Sequence, residues 1–221
     1  MIDIFYTRQN KQVSAKYWSY YLSLLPKDMI NECLKYFRWQ DRQACVFGKL
    51  LLIEGLSKYG FEKSAITDVH YGTYKKPYLY NDINFNISHA GELVICAIGK
   101  NQQIGVDVEE IKHVEFKDFH SVMTNEQWRD INNSQKPIRM FFKYWTYKES
   151  MVKADGRGLS IPFIEIHVNN NEIEYEGKKW HLKEFSIAEG YSACLASDFS
   201  DFELAFTEMD FNHGIEVVKA L

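Results

Sequence analysis

Residues 104–111 constrain the fold more than any other stretch, because apolar and acidic side chains alternate along them. The segment reads Ile-Gly-Val-Asp-Val-Glu-Glu-Ile, with carboxylates at Asp107 and Glu109. Successive side chains of a β-strand point to opposite faces, so we predict a strand with Val106 and Val108 in the core and both acids on the other face. Paired carboxylate oxygens suit Mg²⁺, which typically binds one or two protein carboxylates. A solvated acidic face is the alternative interpretation.

The overall composition is typical of a globular protein. The chain has 221 residues, of which 46% are hydrophobic and 15% aromatic, enough for one large domain or two small ones. The amino terminus has no basic leader followed by an apolar stretch, and no apolar run approaches the roughly 20 residues of a membrane helix. We therefore expect a soluble cytoplasmic protein that has no membrane partner.

The four cysteines are scattered and show no C-x-x-C spacing. They occupy apolar or helical surroundings, as small core residues do, at Cys33, Cys45, Cys96 and Cys194. We expect neither a disulfide framework nor a zinc site.

The charge differs between the two halves of the chain. Residues 1–102 carry 13 Lys and Arg against 9 Asp and Glu, or +4, and residues 103–221 carry 13 against 21, or −8. This split is consistent with a basic half that holds an anion and an acidic half that holds a metal, although a solvated surface could also produce it. The overall charge of −4 argues weakly against nucleic acid as a partner.

Hydrophobic periodicity predicts a similar plan in both halves. The first half has a strand at residues 2–6, helices over 14–25 and 27–59 with a break near Trp39, and short strands up to Ile98. A hairpin through residues 99–103 is expected to lead into the acidic strand. The second half has a helix over 137–154 and strands over 161–168, 172–175, 180–186 and 191–196. We predict an α+β fold of two pseudo-symmetric lobes, residues 1–102 and 103–221, each with a long helix packed on a small antiparallel sheet.

The predicted helix over 137–154 carries polar residues of possible function. Phe141, Phe142 and Trp145 form a stripe expected to be buried, whereas Glu149 and Lys153 are four residues apart and lie on one side of the helix. The latter pair is either a simple ion pair or a third metal-binding carboxylate beside a phosphate-binding ammonium. Gly156 and Gly158, which follow, are expected to stop the helix and form a turn with positive φ.

Polar residues of the first half suggest anion binding. Ser88 and His89 are adjacent on a predicted strand and point to opposite faces, so they do not form a nucleophile and its base. They are expected to donate hydrogen bonds to an anionic ligand, or His89 is a buried histidine with a backbone partner. Lys76 and Pro77 follow Lys75 in a loop that either faces solvent or is stiffened by the proline for ligand contact.

These motifs together resemble those of a known family. In chain order they are K-P, F-N-I-S-H-A-G, G-V-D-V-E, W-x-x-K-E-S-x-x-K and G-R-G-L, and the resemblance spans about residues 34–197. The chain resembles the 4′-phosphopantetheinyl transferases, and is similar to their long monomeric surfactin-synthetase-activating type. The two lobes of that type imitate the dimer of shorter enzymes that act on fatty-acid carriers.

The resemblance implies a reaction and a catalytic set. Asp107, Glu109 and Glu149 would hold Mg²⁺ against the pyrophosphate of coenzyme A, and Lys153 would neutralise charge on the departing 3′,5′-ADP. A serine of an apo peptidyl or acyl carrier domain would attack the phosphorus attached to pantetheine. Glu149, directly or through water, is the first choice for the base, and Glu126, whose match requires a one-residue shift, is the second.

The resemblance also implies binding residues. Lys76, Pro77, Ser88 and His89 match positions that contact coenzyme A. Relatives often present lysines and an arginine to the 3′-phosphate where this chain has Asp28, Asn31 and Ala44. Four basic residues lie near enough to replace them, and the sequence does not distinguish among them: Arg38, Arg42, Lys27 and Lys35. The carrier is expected to dock after Gly156, on Leu159, Ile161, Phe163 and the strands that follow. Nonribosomal peptide, polyketide and fatty-acid carriers are all possible acceptors.

Two other functions fit parts of the pattern. A Mg²⁺-dependent nuclease would also use a D-x-E strand and an acid-lysine helix, although the acidic second half counts against it. A non-catalytic module that binds coenzyme A or a carrier would share the spacing, although the retained carboxylates and Lys153 count against it.

Overall fold

The structure, a computed structural model, describes residues 1–220 of the chain. These residues contain five α-helices and eleven β-strands. In chain order the elements are β1 (Ile2–Arg8), α1 (Ala15–Ser23), α2 (Lys27–Leu34), α3 (Trp39–Lys58), β2 (His70–Tyr71), β3 (Pro77–Tyr78), β4 (Ile83–Ala90), β5 (Leu93–Lys100), β6 (Ile104–Glu110), α4 (Asn125–Asn133), α5 (Pro137–Asp155), β7 (Glu172–Tyr175), β8 (Lys178–Phe185), β9 (Tyr191–Ser197), β10 (Leu204–Asp210) and β11 (Glu216–Ala220). The predicted α+β class is confirmed.

The chain divides into two compact units, which do not coincide with its two halves. The first unit contains residues 1–71, residues 77–101 and the chain from Phe202 onward, and the second contains residues 72–76 and 102–201. The predicted second lobe, residues 103–221, therefore differs from the structure at its carboxyl end. The reason is that β1, which is buried along nearly its whole length, pairs in parallel with β10 on one side and antiparallel with β5 on the other.

The first unit packs its long helix on a five-stranded sheet. The strand order is β11-β10-β1-β5-β4, so this sheet is mixed and not wholly antiparallel as predicted. The helix α3 begins at Trp39, where a break was predicted, and Gly60 beyond its end has a φ of 86°. Buried apolar residues of α3 form a large part of this core, among them Phe47, Leu51 and Leu56.

The second unit packs α5 on a four-stranded antiparallel sheet with the order β6-β9-β8-β7. Since β5 and β6 belong to different sheets, the connection through residues 99–103 is not the hairpin that was predicted. The helix α5 ends at Asp155 and Gly156 closes it with a φ of 93°, followed by Gly158 with a φ of 60°, as the sequence predicted. Phe141 and Phe142 are buried on α5 as expected.

Residues 156–168, which we call the post-helix segment, do not contain the predicted strand. Ile161 and Phe163 are buried on either side of the exposed Pro162, as in a strand, but two exposed residues separate Phe163 from the buried Ile166 and break the period of two. The backbone instead forms a 3₁₀ turn over Phe163–Glu165. Its carbonyl oxygens at Phe163 and Ile166 accept hydrogen bonds from helix side chains and not from a neighbouring strand.

Two of the four cysteines form a disulfide, so the expectation that none would do so was wrong. Cys33 of α2 and Cys45 of α3 are bonded, with their Cα atoms 5.4 Å apart. The helices that carry them become neighbours only in the folded first unit, which spacing along the chain did not reveal. Cys96 and Cys194 are free and buried, as predicted.

The helices of residues 1–220 are too short or too polar to span a membrane. None of them combines the length and the apolar composition that crossing a bilayer requires.

Candidate active site

The acidic strand β6 lies beneath helix α5. Val106 and Val108 are buried on one face of the strand, as predicted, but Asp107 on the other face is only 3% exposed. The alternative of a solvated acidic face is therefore wrong at Asp107. A carboxylate excluded from water is costly unless charged or hydrogen-bonding groups compensate for it, which makes the neighbours of Asp107 the central feature of this site.

Gly105 sets the distance between β6 and α5. A Cβ atom at this position would overlap the carbonyl oxygen of Ser150 and the amide nitrogen of Ala154, so the helix backbone lies directly on the glycine. The contact fixes the carboxyl-terminal turns of α5 above the acidic face of the strand. Lys153 and Glu149 are thereby brought over Asp107.

Lys153 pairs with Asp107 across the two elements. Its Nζ lies 2.6 Å from Oδ1 of Asp107, and the two side chains are 27% and 4% exposed, respectively. The close ionic partner of Lys153 is thus on β6, whereas the sequence had suggested an i,i+4 pair with Glu149. Both groups also affect the pKa of Glu149. Burial raises this pKa most, Asp107 raises it further, and Lys153 lowers it.

Glu109 lies two residues further along β6 and accepts a hydrogen bond from the indole of Trp145. The Nε1 to Oε1 distance is 3.0 Å. Burial raises the pKa of Glu109 to about 7, with a further increase from Asp107, and the hydrogen bond from Trp145 and the charge of Lys153 partly oppose the shift. The pKa of Glu149 is also raised, first by burial and then by Asp107.

These groups form an acidic cluster, which we define as Asp107, Glu109 and Glu149. The positive charge of Lys153 partly balances the negative charge of the three carboxylates. Burial disfavours the ionised forms of Glu109 and Glu149. An all-oxygen donor set of this charge is the kind that hard divalent cations such as Mg²⁺ prefer. Within residues 1–220, no three His, Cys, Asp or Glu side chains converge on a position with metal-ligand geometry, and the ammonium of Lys153 lies against Asp107.

Glu126, the second candidate base, lies in another part of the second unit. It belongs to the first turn of α4, which Thr124 caps in a capping box with Gln127. Glu126 lines a cavity of about 380 Å³ together with Arg129, Ile164 and His167. No residue of the acidic cluster lines this cavity.

Lys148 is a buried polar residue to which the sequence analysis gave no role. It is fully buried, and its Nζ donates hydrogen bonds of 2.7 Å to the carbonyl oxygens of Val122 and Phe163. Burial lowers its pKa to about 7. A signal for it existed, because Lys148 follows Phe141 by seven residues and Trp145 by three, which places it on the predicted buried stripe of α5.

Four residues predicted to contact coenzyme A differ in their burial and hydrogen bonding. Lys76 donates to the carbonyl oxygens of Ala154 at 2.6 Å and Ile104 at 3.3 Å, and burial lowers its pKa to about 8. Pro77 begins β3. On β4, Ser88 is buried and His89 exposed, so the two point to opposite faces, as expected.

The two predicted arginines lie in the first unit at the start of α3. Arg42 Nη1 donates to the carbonyl oxygens of Tyr36 and Phe37, at 3.1 and 2.9 Å. Arg38 precedes the helix, is exposed and lies 4.0 Å from Asp41. Contacts within the protein therefore hold the side chain of Arg38 less firmly than that of Arg42.

Comparisons with known proteins indicate the family of this chain. A model of the 4′-phosphopantetheinyl transferase superfamily matches residues 103–206, and a model of a 4′-phosphopantetheinyl transferase N-terminal region matches residues 10–101. The 4′-phosphopantetheinyl transferase gsp of Aneurinibacillus migulanus is 27% identical over 212 residues, covering 90% of this chain and 87% of the relative. The 4′-phosphopantetheinyl transferase Sfp of Bacillus subtilis is 25% identical over 205 residues, covering 86% and 90%.

The chain also matches solved structures, among them that of a holo-[acyl-carrier-protein] synthase. The Thermotoga maritima holo-[acyl-carrier-protein] synthase aligns with 54% of this chain and 83% of its own, at 17% identity and a TM-score of 0.35, too low to support a structural argument. The sequence comparisons, in contrast, extend over nearly the whole chain, and the two family models together span both of its halves. The chain belongs to the 4′-phosphopantetheinyl transferase superfamily.

Proposed function

We propose that this protein transfers the 4′-phosphopantetheine group of coenzyme A to a serine hydroxyl of an apo carrier protein and releases 3′,5′-ADP. The observation that carries the proposal is the acidic cluster held under α5 beside Lys153, in a chain of this superfamily. In the reaction, the serine oxygen forms a bond to the phosphorus next to pantetheine, the bond from that phosphorus to the bridging oxygen breaks, and the serine proton goes to a base.

The acidic cluster is proposed to hold Mg²⁺. Asp107, Glu109 and Glu149 supply oxygen donors whose mutual repulsion and burial favour a cation, as the raised pKa values of Glu109 and Glu149 indicate. When bound, the ion would neutralise charge on the pyrophosphate. Binding must displace protons from Glu109 near neutral pH, because metal-binding carboxylates are ionised.

Lys153 is proposed to contact phosphate oxygen. Its side chain is 27% exposed whereas that of its partner Asp107 is 4% exposed, so the ammonium is the part of this ion pair more open to a ligand. A cation there stabilises the negative charge that grows on the departing 3′,5′-ADP. The carboxylate of Asp107 keeps the ammonium in place before the substrate binds.

Glu149 is our first candidate for the base, directly or through a water. Burial and Asp107 raise its pKa, which makes it a stronger base than an ordinary carboxylate at neutral pH. Glu126 is the second candidate, and it would act from the cavity that it shares with Arg129 and His167.

The coenzyme A contacts inherited from the resemblance remain proposals. They comprise Arg38, Arg42, Lys76, Pro77, Ser88 and His89. For Lys76, the hydrogen bonds to the carbonyl oxygens of Ala154 and Ile104 favour a role in shaping the loop that precedes Pro77. Arg38, exposed in its position before α3, is the better candidate for direct contact with the 3′-phosphate.

The carrier is proposed to dock on the post-helix segment. Leu159 is 88% exposed and Ile164 is 43% exposed, and large exposed apolar side chains are candidates for protein contact. The expectation that Ile161 and Phe163 also face the carrier is wrong, because both are buried in the core of the second unit. We further propose that the protein acts as a cytoplasmic monomer on nonribosomal peptide or polyketide carriers.

The proposal is tested by the release of 3′,5′-ADP, measured by chromatography, from coenzyme A with apo peptidyl and acyl carrier proteins. We expect release that requires a carrier, its acceptor serine and Mg²⁺. Binding of coenzyme A without release would indicate a non-catalytic module. Cleavage of plasmid DNA in a parallel reaction with Mg²⁺ would indicate a nuclease.

A further inference from the structure

Lys148 joins three parts of the second unit. Its ammonium donates to Phe163 O of the post-helix segment and to Val122 O, which precedes the cap of α4, while its own backbone belongs to α5. We propose that Lys148 is a positioning residue that holds the docking surface of the carrier protein in register with Glu149, its neighbour on α5. This inference rests on the proposed function.

The burial of Lys148 requires an explanation. A lysine in an apolar interior is costly, and a methionine could fill nearly the same volume without that cost. The two short hydrogen bonds compensate for part of it and bind oxygens of two separate segments. Such a side chain specifies the position of its partners as well as filling space.

The post-helix segment depends on such bonds because no strand pairs with it. Of the carbonyl oxygens along its buried positions, that of Phe163 accepts from Lys148 and that of Ile166 accepts from Gln127 Nε2 at 3.1 Å. Side chains from α5 and α4 thus add to the backbone bonds of the turn and attach the segment to both helices. The Phe163 oxygen also accepts from the backbone N–H of Ile166, at 3.1 Å within the turn. Removing Lys148 therefore leaves this buried oxygen with the turn bond alone, and removing Gln127 takes the side-chain bond from the Ile166 oxygen. In both cases the segment loses a link to a helix, and its backbone is expected to shift.

The same two donors connect both walls of the cavity that contains Glu126. One wall is the start of α4, with Glu126 and Arg129, and the other is the post-helix segment, with Ile164 and His167. Ile164 directly follows Phe163, so a shift of the Phe163 carbonyl displaces this exposed apolar side chain. Lys148 therefore controls the shape of a surface that carries apolar and charged groups, in the same segment as the exposed Leu159.

The proposal predicts a selective kinetic defect. The variant Lys148→Met should raise the KM for the carrier protein tenfold or more, while the KM for coenzyme A stays within twofold and kcat at saturating carrier within threefold. A merely structural role would lower the fraction of active enzyme, which reduces kcat and leaves both KM values unchanged.

The experiment uses the full chain with coenzyme A, Mg²⁺ and an apo peptidyl carrier protein, and follows release of 3′,5′-ADP. Lys143→Met is the matched control, since it is the same substitution on the same helix at a partly exposed residue whose ion pair is with Glu184; both KM values should stay unchanged. If Lys148→Met does not fold, Gln127→Met, which removes the bond to Ile166 O, carries the test and should show the same selective rise.

The outcomes separate this inference from the proposed function. An active wild type whose folded Lys148→Met and Gln127→Met variants keep the carrier KM would refute the role of Lys148 alone. Equal increases in the KM for carrier and for coenzyme A would refute it as well. A wild type without transfer would refute the proposed function itself.

Discussion

The negative charge of Glu109 is expected to destabilise the folded protein in the absence of metal. Removing this charge should therefore stabilise the protein. The substitution Glu109→Gln keeps the shape of the side chain and an oxygen that can accept the hydrogen bond from Trp145. It removes a partly buried negative charge that faces Asp107 and Glu149. We expect the variant to be more stable than the wild type without Mg²⁺ and inactive with it.

The magnitude follows from the pKa of Glu109. Its rise from 4.5 to about 7 corresponds to about 3 kcal/mol if both the folded and the unfolded states are ionised. Partial solvent exposure reduces this to about 1–2 kcal/mol. Since the folded-state pKa is the higher one, the cost is absent below about pH 4.5, grows as the pH rises to about 7, and is constant above that value.

The assay is thermal unfolding in EDTA at pH 5 and pH 8, followed by tryptophan fluorescence. At pH 8 the midpoint for Glu109→Gln should exceed that of the wild type by about 2–8 °C, from about 2–4 °C per kcal/mol for a chain of this size. At pH 5 the two midpoints should nearly coincide. Adding Mg²⁺ should raise the midpoint of the wild type and leave that of the variant unchanged.

The matched control is Glu110→Gln, at the exposed next residue of β6. It should change neither the midpoint nor its response to Mg²⁺. A lower midpoint for Glu109→Gln at pH 8, or an undiminished response of that variant to Mg²⁺, would refute the reasoning about the acidic cluster.

Three further predictions concern the same site. Gly105→Ala should destabilise the second unit by about 3 kcal/mol or more, measured by urea denaturation, because the added Cβ overlaps backbone atoms of α5. Lys153→Met should reduce kcat for transfer at least 100-fold, and should lower stability in EDTA by about 1–3 kcal/mol, because it leaves Asp107 buried without its cation. The affinity for Mg²⁺, titrated through the fluorescence of Trp145, should fall up to about tenfold per pH unit below pH 7, since protons compete for Glu109.

Each of these has a control or a contradicting result. Gly72→Ala is the control for Gly105→Ala, because its Cβ would meet only the carbonyl oxygen of Lys76 at 3.7 Å and should cost little. Transfer by Lys153→Met at the rate of the wild type would remove the lysine from the reaction. An affinity for Mg²⁺ that does not change between pH 5.5 and pH 8 would exclude Glu109 as a ligand.

Local patterns predicted the elements whose own periodicity is regular along the chain. The period of two in residues 104–111 identified β6, and the apolar stripe with Gly156 behind it identified α5. The fold predictions that failed involve partners distant in sequence. The parallel pairing of β1 with β10 joins residues about 200 positions apart. In the post-helix segment, carbonyl oxygens accept hydrogen bonds from the side chains of Lys148 and Gln127, where a strand would have had a neighbouring strand.

The candidate site shows the same division. Asp107 and Glu109 share a face because strand geometry requires it, and the sequence was sufficient to place them together. Helical spacing could relate Lys153 only to Glu149, whereas the structure pairs it with Asp107 of another element. This contact depends on how closely α5 packs on Gly105, which no pattern within the helix reveals.

The most direct test of the proposed transfer is the intact mass of an apo peptidyl carrier protein after incubation with coenzyme A, Mg²⁺ and either the wild type or the Glu149→Gln variant. We predict that the carrier gains the mass of one phosphopantetheine with the wild type, and gains nothing with EDTA or with the folded variant. Full modification of the carrier by Glu149→Gln would contradict the proposed site. No gain with the wild type across several peptidyl and acyl carriers would contradict the proposed function.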